Sequence, residues 1–185
     1  MNEDDLALQF NSSYAKNNCS GLIGCGRDLK LVVNYGNNNE LFTSGVYSNP
    51  GSSKYPAEWI LSSPRNSAGT CSVTYDGMDN STSFVVNGLG GIDITANGSA
   101  QYFQVVAYSD TVTSFSIYIY SLGGGYCYLE DIQVTPDYYG GDVVYNIPFA
   151  YLHNNCNLNK VGSMEVIFHY DEALDISVKA FQTVH

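Results

Sequence analysis

Positive charge is scarce in this chain. Its 185 residues carry 7 Lys+Arg against 18 Asp+Glu, a formal net charge of −11. A polyanion such as nucleic acid is repelled by that balance, and no basic stripe is present to overcome it. Anionic membrane surfaces are excluded on the same ground. Long apolar runs are missing as well, so no stretch reaches the ~20 residues that cross a bilayer as a helix. The first residues, Met1–Asp5, are acidic where a secretory leader is basic. A secreted protein with this start is expected to be in its mature form, with Met1 not the native beginning.

Chemistry-bearing residues are equally thin. The histidines are His153, His169 and His185, none in a His-Glu-x-x-His arrangement, and no Gly-x-Ser-x-Gly elbow occurs. His169 lies in a strand-like run and reads as structural. A glycosidase needs two carboxylates across a cleft, for which Glu58, Glu130, Glu165 and Glu172 are the glutamates to consider. No pairing among them is marked by the sequence, and the chain is expected not to be an enzyme.

What is present points to an all-β fold. Aromatics make up 14 % of the chain and Tyr alone fills 16 positions, while charged residues are also only 14 %. This is the reverse of a disordered composition, and the length suits one domain with a sizeable core. The dominant period is two. Leu29, Leu31, Val33 and Tyr35 share a face, as do Cys71, Val73 and Tyr75. Phe115, Ile117 and Ile119 alternate with Ser114, Ser116, Tyr118 and Tyr120, and Leu174, Ile176, Val178 and Ala180 repeat the pattern. Such alternation makes half-buried strands. The runs 101–108 and 161–169 are apolar on both faces and are expected to be central strands. Gly, Asn, Pro and Ser punctuate these runs, and no amphipathic helix stands out. About ten strands predict an antiparallel two-sheet sandwich, jelly-roll-like, with an immunoglobulin-like topology as the less favoured arrangement.

The five cysteines, Cys19, Cys25, Cys71, Cys127 and Cys156, contain no C-x-x-C pair, which argues against zinc or redox sites and for disulfides in an oxidising compartment. An odd number leaves one over, and several connectivities stay open. Cys127–Cys156 is the favoured bridge, because it would pin the polar loop after Phe149 to a strand. Asn11, Asn18, Asn80 and Asn97 each begin an Asn-x-Ser/Thr sequon, and those at Asn80 and Asn97 fall in turn-like stretches suited to a glycan. The expected location is extracellular or at the cell surface. No cofactor is expected, although Asp76, Asp79, Asp93, Asp110, Asp171, Glu172 and Asp175 fall at turns and strand ends where a structural calcium could bind. Asp175 has an alternative partner in Arg27.

Residues 1–20 read as an N-terminal arm and tether, and 21–185 as the sandwich. Leu6, Leu8 and Phe10 alternate ahead of a polar stretch, so this strand either completes its own sheet or adds to a neighbour's. With exposed-looking tyrosines at Tyr126, Tyr128, Tyr138 and Tyr139, the favoured reading is a self-assembling extracellular structural protein, a homo-oligomeric fibre, filament or surface-layer subunit. The alternative is a carbohydrate-binding module, with glycan partners held at Trp59, Glu58 and Tyr55. Against that alternative, a lone Trp59 is expected to fill the core, as large aromatics mostly do. An exposed, coplanar set of aromatic rings would favour the sugar-binding alternative.

From about Leu22 onward the chain also resembles a family of secreted β-sandwich domains in bacterial surface proteins, often ahead of C-terminal sorting signals. The resemblance rests on Gly26-Arg27-Asp28-Leu29, on Tyr75-Asp76-Gly77-Met78-Asp79, on the run from Gly88 to Thr95, on Val106–Asp110, and on Val161–Glu165 with Ala173–Ser177. It implies a β-sandwich at the cell surface and brings no catalytic residues.

Overall fold

The computed structural model describes residues 6–8, 13–17, 26–35, 43–48, 57–78, 81–137, 139–171 and 173–185. Among the described residues, twelve strands form two antiparallel sheets of six. They are β1 (Leu6–Leu8), β2 (Ser13–Asn17), β3 (Gly26–Tyr35), β4 (Thr43–Ser48), β5 (Ala57–Ser63) and β6 (Ala68–Tyr75). After these come β7 (Tyr102–Ser109), β8 (Thr113–Ser121), β9 (Tyr126–Val134), β10 (Val143–Pro148), β11 (Val161–Asp171) and β12 (Leu174–Val184). Sheet A runs β1-β4-β5-β12-β7-β10 and sheet B runs β2-β3-β6-β11-β8-β9. From β5 onward the chain passes between the sheets at almost every connection, which gives a jelly-roll sandwich. Among the described residues the only helical element is one 3-10 turn, Phe149–Tyr151, and no helix is long and apolar enough to cross a membrane.

The two-residue period does what it predicts. Phe115, Ile117 and Ile119 of β8 are fully buried, and so are Leu31 of β3 and Cys71 of β6. Phe168 of β11 stacks on Phe115 with ring centroids 5.2 Å apart. Truncating a buried phenylalanine of this kind typically costs about 3–5 kcal/mol. β7 and β11 each lie between two other strands, as their doubly apolar sequences require. Tyr170, also in the core, satisfies its hydroxyl by donating to the Val32 carbonyl at 3.2 Å. Gly69 faces that ring so closely that any Cβ there would collide with Tyr170 and the Val32 oxygen.

The N-terminal segment corrects one expectation. Leu6–Leu8 pairs antiparallel with Thr43–Ser48 of its own chain, Leu6 opposite Val46. Ser13–Asn17, within the stretch read as a tether, is a strand on the edge of β3 in the other sheet. The arm thus contributes one strand to each sheet of its own sandwich, and strand donation to a neighbour is overturned. The physical reason is proximity: an edge strand takes the nearest unpaired partner, and here the same chain supplies it. Phe10 lies outside the described residues.

Candidate functional site

The β8–β9 hairpin builds a distinctive aromatic surface on sheet B. Its turn runs through Gly123, Gly124 and Gly125, all with positive φ (86°, 111° and 88°), a conformation that side chains resist and glycine adopts freely. The turn is closed by the Ser121 N–H donating to the Gly125 carbonyl at 2.9 Å. Its register sets Tyr120 opposite Tyr126 and Tyr118 opposite Tyr128. Because Ile117, Ile119 and Cys127 point into the core, strand alternation sends all four tyrosines to the outer face of sheet B.

There the rings lie nearly parallel. Tyr118 and Tyr128 are 6.1 Å apart at 23°, Tyr120 and Tyr126 6.1 Å at 25°, and Tyr126 and Tyr128 5.9 Å at 19°. Tyr126 is 47 % exposed. Two loops flank the array. Phe84, from the β6–β7 connection, sets its ring edge-on to Tyr120 at 5.0 Å. His153, from the β10–β11 connection, lies 5.5 Å from the Tyr128 ring, and its backbone exchanges two hydrogen bonds with that of Tyr128. The Cys127–Cys156 disulfide ties this second loop to β9, with Cα atoms 5.2 Å apart. The bridge expected from sequence is therefore present, and it places His153.

Polar groups continue the face toward β11, β6 and β3. The Tyr118 hydroxyl donates to Glu130 Oε1 at 2.6 Å. Burial, with that carboxylate, pushes the Tyr118 phenol up to about 12. Burial likewise raises Tyr120, helped by the charge of Glu165. Glu165 stands opposite Tyr118 on one side and Thr74 on the other. Burial raises its carboxyl above the ordinary range and Asp76 adds to this, while the Ser72 hydroxyl and Lys30 pull the other way. The result is a strip that is aromatic at the β9 edge and rich in hydrogen-bond acceptors toward the middle of the sheet. Aromatic rings beside fixed acceptors suit a ligand with apolar C–H groups and many hydroxyls.

The sequence-predicted sugar site is not this one. Trp59 of β5 is 7 % exposed and sits edge-on to Phe168 at 4.7 Å in the core, so its indole offers no face to a ligand. The Glu58 side chain and Tyr55 lie outside the described residues. Several other expected positions lie there too: Asn11, Asn18 and Asn80, Cys19 and Cys25, Asp79 and Glu172, Tyr138, and the side chains of Leu6, Leu8 and Arg27. Asn97 is exposed in a left-handed turn, φ 59°. Cys71 is buried in the core. Asp175 points outward and accepts from the Ser62 hydroxyl at 2.6 Å, on a strand of the opposite sheet from Arg27.

Like Asp175, three more of the acidic residues weighed for calcium are engaged by the protein's own donors. Asp93 accepts from the Thr95 hydroxyl and from the N–H groups of Thr95 and Asn97, with Thr95 foremost in lowering its carboxyl. Asp76 accepts from the Val85 N–H and Asp110 from the Asp175 N–H, both at 2.8 Å. Among the described residues no three His, Cys, Asp or Glu side chains are grouped to hold a metal. The Ser116 hydroxyl lies 3.3 Å from His169 Nε2, but Ser116 is buried in β8 and also accepts from the Asp131 N–H. That geometry is a structural contact.

No protein-family model matches the chain, and no curated protein sequence does. The resemblance to surface-protein domains therefore has no family match behind it. Solved structures do share the fold. A Family 11 carbohydrate-binding module from Clostridium thermocellum, in complex with a β-1,3-1,4-mixed-linked tetrasaccharide, aligns over 93 % of this chain and 95 % of its own, with a TM-score of 0.52 and 12 % identity. The Family 11 module of the cellulosomal cellulase Lic26A-Cel5E of Clostridium thermocellum aligns over 94 % of both chains, with a TM-score of 0.51 and 11 % identity. At these identities the likeness is one of fold. Together with the intrachain pairing of Leu6–Leu8, it overturns the reading of the chain as a self-assembling structural protein.

Proposed function

We propose that this protein is an extracellular carbohydrate-binding module that holds a polysaccharide on the outer face of sheet B. One observation carries the reading: Tyr118, Tyr120, Tyr126 and Tyr128 present nearly parallel rings on one side of a hairpin. Acceptors on Glu130 and Glu165 adjoin them. A sugar ring lays its C–H face on an aromatic ring and directs its hydroxyls sideways to such acceptors. The disulfide supports an oxidising, extracellular setting. The modules that share the fold support the class of ligand.

Affinity electrophoresis through gels containing mixed-linkage β-1,3-1,4-glucan, xylan, galactan or agarose tests the proposal. At least one neutral polysaccharide should retard the wild type. Tyr126→Ala and Tyr128→Ala should each weaken that retardation about three- to tenfold, the loss of one aromatic contact. Migration unaffected by every polysaccharide, or retardation that both variants retain in full, would overturn it.

A further inference from the structure

The residues of this face line up across the strands, and the line says what kind of chain it takes. Strand pairing puts Tyr128 opposite Tyr118, and Tyr118 opposite Glu165. Beyond β9, the edge strand of sheet B, the row does not stop. His153 forms an isolated antiparallel bridge with Tyr128, so the loop held by Cys127–Cys156 adds one more position in register. On the other side Glu165 is followed by Thr74 of β6 and Asp28 of β3. These two are only 8 % and 7 % exposed, so the reachable part of the row runs from His153 to Glu165.

That part crosses three inter-strand spacings, roughly 14 Å, the length of about three pyranose rings. Its chemistry changes along the way, from the His153 and tyrosine rings at one end to the Glu165 carboxylate with Ser72 and Lys30 at the other. The described charged side chains on the outer face of β3, β11 and β9 include the carboxylates of Asp28, Glu165 and Glu130 against the ammonium of Lys30. A ligand bearing its own carboxylates or sulfates would meet repulsion there and across a molecule of net charge −11.

Resting on the carbohydrate-binding reading above, we infer that the row from His153 to Glu165 binds about three consecutive rings of an uncharged linear saccharide lying across the strands. His153 is the terminal stacking position, placed by the disulfide rather than by a strand of its own. Glu165 is the acceptor at the other end and the group that disfavours acidic sugars.

Isothermal titration with neutral oligomers of two to six rings tests this. The probes are mixed-linkage gluco-oligosaccharides, or oligomers of whichever panel polysaccharide retards the protein most, with oligogalacturonates as the acidic series. Affinity should climb steeply up to roughly three or four rings and then change less than about twofold. Oligogalacturonates of equal length should bind at least about tenfold more weakly. His153→Ala should weaken the trimer more than the dimer. A dimer that binds as tightly as the hexamer, an affinity still climbing at six rings, or acidic oligomers that bind equally well would overturn this inference and leave the carbohydrate-binding reading standing. Binding by no neutral oligomer or polymer, from a protein folded by circular dichroism, would defeat both.

Discussion

Glu165 carries a conflict that a single substitution resolves. It sits on the outer face of a sheet between Tyr118 and Thr74, where burial and the nearby Asp76 raise its carboxyl above the ordinary 4.5. A carboxyl with a higher value in the folded than in the unfolded chain binds its proton more tightly when folded. Ionised Glu165 therefore costs stability at neutral pH, and the cost disappears as pH falls from the raised value to the unfolded one. Glu165→Gln keeps an oxygen for the Ser72 hydroxyl and removes the charge. Its thermal midpoint should exceed the wild type's at pH 7, with the difference shrinking toward pH 4. A variant less stable than wild type at pH 7 would mean that Lys30 and Ser72 outweigh burial. A half-buried charge tolerated at such a cost fits a residue retained for what it binds.

At the scale of elements, the loop before β11 depends on a covalent tie. Cys127 and Cys156 are 29 residues apart, and the loop carries His153 against Tyr128. Closing a segment of that length typically contributes about 2–4 kcal/mol. Cys156→Ser should lower the denaturant-derived stability by that order and weaken saccharide binding, because His153 loses its anchor. Unchanged unfolding would show that the backbone hydrogen bonds at His153 hold the loop unaided. Elements were also where the sequence spoke most clearly. Phe115, Ile117 and Ile119 against Ser114, Ser116, Tyr118 and Tyr120 stated both the strand and its faces, since one side was wholly apolar. The same run followed by Ser121-Leu122-Gly123-Gly124-Gly125 and Tyr126-Cys127-Tyr128 held the signal for the site. A tight glycine turn mirrors two Tyr-x-Tyr pairs onto each other, and reading that register would have found the array. Trp59 was ambiguous because alternation next to Glu58 does not say which residue faces in. The partner of Leu6–Leu8 was not legible at all, because pairing at a sheet edge is settled by what lies nearby in space.

For the whole molecule, the two sheets offer different outer surfaces. Sheet A carries a ladder of amides, in which Gln182 donates to Gln104 at 2.9 Å and Gln104 to Asn146 at 3.1 Å. Those groups already spend much of their hydrogen-bonding capacity on one another. Sheet B carries the tyrosines and the carboxylates, so the two faces make opposing claims that one experiment separates. Hydrogen–deuterium exchange, with and without a saturating neutral oligosaccharide that titrates, reads out which face is covered. The account predicts slowed exchange in the Tyr118–Tyr128 hairpin, around His153 and at the start of β11, with β7, β10 and β12 unchanged. Slowing confined to β7, β10 and β12 would contradict it.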